Sequence, residues 1–338
     1  MGKFQSERKA TTVSKEQDAI QLLDKGIRAL QSEDFEKAKT SFEAALEVDE
    51  HLAAAYTNLG ILAMASGDLE KARQHFQESL KNDAREYSAY NNLAALEQAS
   101  DRLKEAEQLY LKSIQVNNEG VEAYYNLGLL YVKQDKLVQA KTAFEKITQL
   151  NPKHLDAFFM LGNVYANLQD YYAAIANFQY LVYHQPDIIE ARVALAEMYR
   201  RQGKYPLAII ELRGAIRANP DDPDLIQHLG LIFMETANGE MALGAFEKVV
   251  ELDPTRAEAF EVLAILYDTA GFDEAALEAA EIAAQLAPEN ERTLEVYAEI
   301  KEKLAQKPPA IEHTDADDEA EPEAESEESE QVESGETP

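Results

Sequence analysis

The sequence predicts an all-α solenoid, a row of helix-turn-helix hairpins of equal length stacked one on the next. Three observations carry that prediction. Small, bulky and punctuating residues recur every 34 positions along most of the chain. Within each period, apolar residues return at the three- and four-residue spacing of a helix. A polar turn divides each period, and proline closes the later ones.

The stretch Val121–His154 shows the unit. Tyr124, Leu127, Gly128 and Tyr131 share one face of a first helix. Asp135 lies in a short polar turn, where a carboxylate can cap the helix that follows. Ala140, Phe144 and Ile147 share a face of that second helix. Asn151-Pro152 ends it, because proline lacks an N–H and clashes with the preceding turn. One such hairpin cannot bury both of its apolar sides, so it requires neighbours of the same kind.

The rest of the chain supplies them. A small residue returns in each first helix at Gly26, Gly60, Ala94, Gly128, Gly162, Ala196, Gly230 and Ala264. Alanine opens each second helix at 38, 72, 106, 140, 174, 208, 242 and 276. A bulky position follows at Phe42, Phe76, Tyr110, Phe144, Phe178, Leu212 and Phe246, with Ala280 in the last unit. Small residues let helices approach, and bulky ones fill the space between them. Pro152, Pro186, Pro220, Pro254 and Pro288 close the later units.

This pattern resembles the tetratricopeptide repeat family, whose period is also 34. Eight consecutive units keep register from Ala19 to Asn290. The resemblance implies a right-handed α-solenoid of eight tandem repeats, whose first helices line a concave groove for protein partners.

In chain order, residues 1–14 are polar and patternless, so a flexible segment is expected, with Ser14 and Gln17 as a capping box opening the first helix. Lys25 stands where Leu59, Leu93 and Leu127 stand later, which predicts a looser first unit. Asp34, Asp68, Asp101, Asp135 and Asp170 sit at or beside the starts of second helices as candidate caps. Arg192 replaces the aromatic of Tyr124 and Phe158. Unit seven is expected to move its turn to Asn238-Gly239. Unit eight has a thinner core, and Glu291–Gln306 follows as a solvating cap helix with Leu294, Tyr297, Ile300 and Leu304 on one side. The tail from 307 to 338 is acidic and almost without large apolar residues, so disorder is expected.

Charge and composition narrow the function. The formal charge is −31, of which residues 308–338 contribute −13 from thirteen acidic and no basic residues. A body this acidic repels nucleic acid and anionic lipid and attracts basic partners. There is no cysteine, which excludes disulfides and thiolate metal sites. No apolar run approaches a membrane span, and the N-terminus has no apolar core of a secretory signal. A cytoplasmic location is expected. The six histidines never fall at i, i+3 or i+4 from one another, and no nucleophile elbow or phosphate loop is present. No enzyme activity, metal or cofactor is expected.

The groove residues follow from their offset to the small column. Two positions before it stand Asn58, Asn92 and Asn126, three amides in a row, each offering a donor and an acceptor. The resemblance implies that such a row holds the backbone of an extended peptide. Neighbouring offsets add Asn91, Tyr125 and Lys133, then Phe159, Asn163 and Asn167, then Arg200 and Arg201. Tyr125 and Phe159 read equally well as anchors for a partner or as packing within the repeat. Six before the small residue, Glu122, Asp156, Glu190, Asp224 and Glu258 form an acidic row, with Arg200 and Arg201 as a local exception. Ile20, Leu23, Ile27 and Leu30 give unit one an apolar inner face, to be covered by residues 1–13, by a client, or by self-association with a second copy. The expected function is a scaffold that binds extended or basic segments of other proteins. An acidic escort for basic proteins, or an accessory subunit of an enzyme, secretion or envelope complex, are the alternatives.

Overall fold

The computed structural model describes the backbone of residues 2–306 and the side chains of residues 15–306. The tail from 307 onward, expected to be disordered, lies outside the described residues. Helices pair in sequence order. The first four hairpins are α1 (Gly2–Gln31) with α2 (Phe35–Val48), α3 (Ala53–Ala65) with α4 (Leu69–Asn82), α5 (Tyr87–Ala99) with α6 (Leu103–Val116), and α7 (Val121–Lys133) with α8 (Leu137–Leu150). The next four are α9 (Leu155–Asn167) with α10 (Tyr171–His184), α11 (Ile189–Arg201) with α12 (Tyr205–Ala218), α13 (Pro223–Glu235) with α14 (Gly239–Leu252), and α15 (Ala257–Ala270) with α16 (Asp273–Leu286). A last helix, α17 (Glu291–Ala305), packs on α16 and α15. Each even helix also packs on the odd helix of the next hairpin, which makes a right-handed α-solenoid.

One backbone feature repeats in every hairpin turn. The residue before each second helix's N-cap has a left-handed φ: Glu33, Gly67, Asp101, Asp135, Gln169, Gly203, Ala237 and Gly271. That conformation ends the first helix and turns the chain back. The position that follows caps the second helix. Asp34, Asp68 and Asp170 accept from the backbone N–H three residues on, as expected. Asp101 and Asp135 do not. They occupy the left-handed position, which aspartate tolerates better than most residues, and Arg102 and Lys136 stand at the caps without a side-chain bond to the helix they open. The turn of unit seven is not shifted either. Ala237 takes the left-handed position and Asn238 caps α14 through Met241, in step with the other units.

The N-terminal boundary differs from expectation. α1 starts at Gly2, so Ser14 lies inside a helix rather than at its cap. The stretch has no proline, and its glycine is at the very start. Lys, Gln, Glu, Arg and Ala propagate helix well once the repeat has nucleated it.

The small and bulky columns meet. A Cβ built on Gly60 would lie 2.5 Å from the Phe76 ring, and one on Gly162 would lie 2.6 Å from the ring of Phe178. Phe42, Phe76, Phe144, Phe178 and Phe246 are all buried to within 1%. Arg192, the departure in unit six, fits for a related reason. Its guanidinium lies over Gly214 and bonds Glu211 at 2.7 Å, where the preceding unit stacks Phe158 on Tyr180 with ring centroids 4.1 Å apart. In unit one, Leu23, Ile27 and Leu30 pack on Phe42 and Leu59, and Ile20 stays half exposed. In unit eight, Ala276, Ala279, Ala280 and Ala283 are buried, and Ile300 of α17 joins the cluster that holds the first three. The cap helix thus supplies bulk where the phenylalanine is missing.

The buried carboxylates are paired, as their desolvation demands, whereas the buried side-chain amide of Gln202 has no hydrogen-bond partner among the described residues. Glu97, 6% exposed, bonds Arg73 Nε at 2.9 Å and also Arg102. Glu261, 5% exposed, accepts from Thr293 Oγ1 at 2.7 Å and from Arg292 Nε at 2.8 Å, so the cap helix is fixed by polar as well as apolar contacts.

Candidate functional site: the concave wall

Successive odd helices touch one another: α1 with α3, α3 with α5, α5 with α7, and α9 with α11. In a curved stack the elements on the shorter inner radius crowd together. The odd helices therefore form the concave wall, and their exposed side chains line the groove.

Asn58 and Asn92 are half-buried on that wall. Asn58 Nδ2 donates to the Ala54 carbonyl at 2.7 Å, and Asn92 Nδ2 to that of Ser88 at 2.9 Å. A carbonyl can only accept, so each amide spends one N–H on its own helix and keeps Oδ1 and its second N–H on offer. Asn126 differs. Its Nδ2 donates to Asn91 Oδ1 at 3.1 Å, across to the preceding odd helix. Asn91 is 8% exposed. It is thus a buried tie between α5 and α7 rather than an open part of the wall.

The two aromatics divide their surfaces between core and groove. Tyr125 is half-buried, with its ring 5.8 Å from that of Phe144 and 5.5 Å from that of His154. Phe159 packs edge-on to Phe178 at 5.9 Å and also lines an open cavity with Leu155, Leu181 and Ile188. Lys133 is exposed, 3.8 Å from Asp101. Asn163 is half-buried, and its carbonyl accepts from the exposed Asn167 at 2.8 Å.

Arg200 and Arg201 are not free cations. Glu197 accepts from Arg200 Nε at 2.7 Å and Nη2 at 2.9 Å, and from Arg201 Nε at 2.7 Å. Arg200 also reaches Glu235 on the next odd helix. Burial pushes the Glu197 carboxyl up, but the two guanidiniums outweigh it and hold it below the usual range. The bond to Glu197 in turn raises Arg200 further, against its burial. The expected positive exception is therefore neutralised in place. A cavity of about 340 Å³ lies beside this cluster, between α11 and α13, walled by Val193, Leu231 and Ile232.

Glu235 was missed by the sequence reading, although a spacing rule points to it. Asn91–Asn126, Arg200–Glu235 and Asp268–Lys303 are each 35 residues apart, and each links two neighbouring helices of the wall or the cap. One repeat plus one residue turns the side chain towards the adjacent helix. Among the described residues no group of His, Cys, Asp and Glu could hold a metal ion, and no helix is long and apolar enough to cross a membrane.

Family models for the tetratricopeptide repeat match residues 23–86, 57–122, 121–154 and 159–223. The chain belongs to the tetratricopeptide repeat family. Repeats of this family mediate protein–protein contacts. The hairpins α13–α14 and α15–α16 carry the same columns beyond the matched segments. Among solved structures, the chain is similar to the C-terminal part of a TPR repeat-containing protein from Cytophaga hutchinsonii. That match has 14% identity and a TM-score of 0.63, over 71% of this chain and 98% of that one. It is also similar to pilF of Pseudomonas aeruginosa, with 20% identity and a TM-score of 0.55, over 67% of this chain and 99% of that one. These likenesses concern the fold. A comparison with curated proteins returns no match.

Proposed function

We propose that this tetratricopeptide repeat protein is a non-catalytic cytoplasmic scaffold that holds extended segments of partner proteins in its concave groove. The observation that carries the reading is the pair Asn58 and Asn92. Their amide oxygens stand at one pitch on neighbouring odd helices, with one N–H of each amide anchored to its own helix. Such oxygens accept from the backbone N–H groups of an extended chain whatever its side chains are. Asn126, tied to Asn91, takes a positioning part in the same wall. Tyr125 and Phe159 present the apolar edges beside these amides. The acidic body favours basic segments and repels nucleic acid.

The test is affinity capture with mass spectrometry, comparing wild type with the Asn58→Ala, Asn92→Ala, Asn126→Ala variant. A partner held by the groove is depleted at least tenfold on the variant, while far-ultraviolet circular dichroism stays unchanged. Equal recovery of every partner rejects the amide row. Deleting residues 308–338 separates the groove from the escort reading, because groove partners survive that deletion and tail partners do not.

A further inference from the structure

A cavity of about 170 Å³ opens on the groove between α9 and α11. Its lining is Leu155, Phe159, Leu181 and Ile188, together with Asp156 and Glu190. The first four give an apolar floor. Asp156 and Glu190 are both exposed, stand one repeat apart in the acidic row, and have no hydrogen-bond or ion-pair partner among the described residues.

The repeats on either side lack this combination. One repeat earlier, the positions of Phe159 and Ile188 are held by Tyr125 and His154, whose rings pack 5.5 Å apart. One repeat later, the counterpart of Glu190 is Asp224, and Arg256 already binds it at 2.6 Å. Between α9 and α11, then, an apolar recess and two unsatisfied carboxylates coincide.

We propose that this recess receives a lysine or arginine side chain of an extended partner segment. The aliphatic stem lies on Phe159, Leu181 and Ile188, and the cationic head sits between Asp156 and Glu190. A wholly apolar anchor would cover the recess while desolvating two carboxylates without compensation. A short cation would meet the carboxylates and leave the recess open. A long basic side chain satisfies both, as such side chains do at many surfaces. The charge of the body draws basic segments to the site before contact. This assignment rests on the groove reading above and names the partner chemistry of one part of it.

The test uses fluorescein-labelled, capped nonapeptides of sequence KGSKGSKGS, titrated with the full chain at 0.1 M salt and read by anisotropy. Two companion peptides carry norleucine, which keeps the stem without the charge, or diaminobutyrate, which keeps the charge on a stem two carbons shorter. The lysine peptide binds at least tenfold more tightly than either companion. The Asp156→Asn, Glu190→Gln variant weakens it about tenfold. The Glu122→Gln, Glu258→Gln variant, which removes the same charge elsewhere in the acidic row, changes it less than threefold. All four positions are exposed, so these variants keep the wild-type melting curve.

Equal loss in the two variants would overturn the recess and reduce the effect to net charge. Unchanged binding in the Asp156, Glu190 variant, or equal binding of the norleucine peptide, would also overturn it. Failure of the lysine peptide to bind wild type overturns the recess as well. None of these results touches the amide row, which is decided by whether the asparagine variant still captures its partner.

Discussion

A methyl group on Gly128 would lie 2.7 Å from Cζ of Phe144. The same two positions, sixteen residues apart, recur through the array. Where the bulky position is phenylalanine the small one is glycine. Where it is Tyr110, Leu212 or Ala280, the small one is Ala94, Ala196 or Ala264. In the phenylalanine units the two columns share one volume, whereas Tyr110, no smaller than phenylalanine, faces Ala94, so volume alone does not set that pair.

Gly128→Ala is therefore destabilising, although alanine favours helix by about 1 kcal/mol. The ring edge cannot retreat in a core where Phe144 is fully buried. Overpacking of this kind costs about 1–3 kcal/mol, so a net loss of about 1 kcal/mol is expected in urea melts. Adding Phe144→Leu, the pairing found at Ala196 and Leu212, brings a favourable coupling. Additive effects in the double-mutant cycle would show that the two residues do not share that volume.

Ala237 is the one alanine at the left-handed turn position, with φ 55°. Ala237→Gly removes strain worth about 1 kcal/mol, offset in part by the freer unfolded chain. The variant is expected to gain a few tenths of a kcal/mol or more in equilibrium unfolding. Gly203→Ala, at φ 69°, should lose a similar amount. A loss of stability in Ala237→Gly would contradict the strain.

Thr293 is 1% exposed and donates to the buried Glu261 carboxylate. Thr293→Val keeps the shape and removes the donor. An unsatisfied buried acceptor costs about 1–3 kcal/mol. Because α17 packs on the last hairpin, the cost falls locally. Amide exchange should quicken in residues 291–305 and remain unchanged in the central repeats. Uniform acceleration along the chain would refute a local docking role.

Burial raises the phenols of Tyr110, Tyr131, Tyr165 and Tyr267 to about 12 from an ordinary 10, and Glu107, Glu145 and Glu247 reinforce it at the last three. The folded state keeps these protons up to about 12, and the unfolded chain releases them from about 10. The stability they give is fully present below pH 10 and is lost as pH rises to 12. Thermal melts across that window should show a steep fall, and Tyr110→Phe should lessen it. A flat profile between pH 10 and 12 would contradict the burial.

The amide row shows where sequence reading stops. Asn58, Asn92 and Asn126 are identical in residue type and offset, yet two bond their own helix and the third bonds Asn91. Likewise Arg200 and Arg201 read as free positive charge, and the fold folds them onto Glu197 and Glu235. Side-chain partners one repeat away depend on the rotation between repeats, which a column of residue types does not encode. The 35-residue spacing recovers some of them once the stack is known.

The amino-acid order alone determined the period, the number of hairpins, the glycine and phenylalanine columns and the cap helix, because each follows from helical spacing and side-chain volume. Tertiary structure decided the rest. The left-handed turn position is filled by Glu, Gly, Asp, Gln and Ala in different units, so no residue type announces it; the closing of each hairpin imposes it. The recess between Asp156 and Glu190 exists only because two neighbouring helices set Phe159 and Ile188 around a space that Tyr125 and His154 occupy one repeat before.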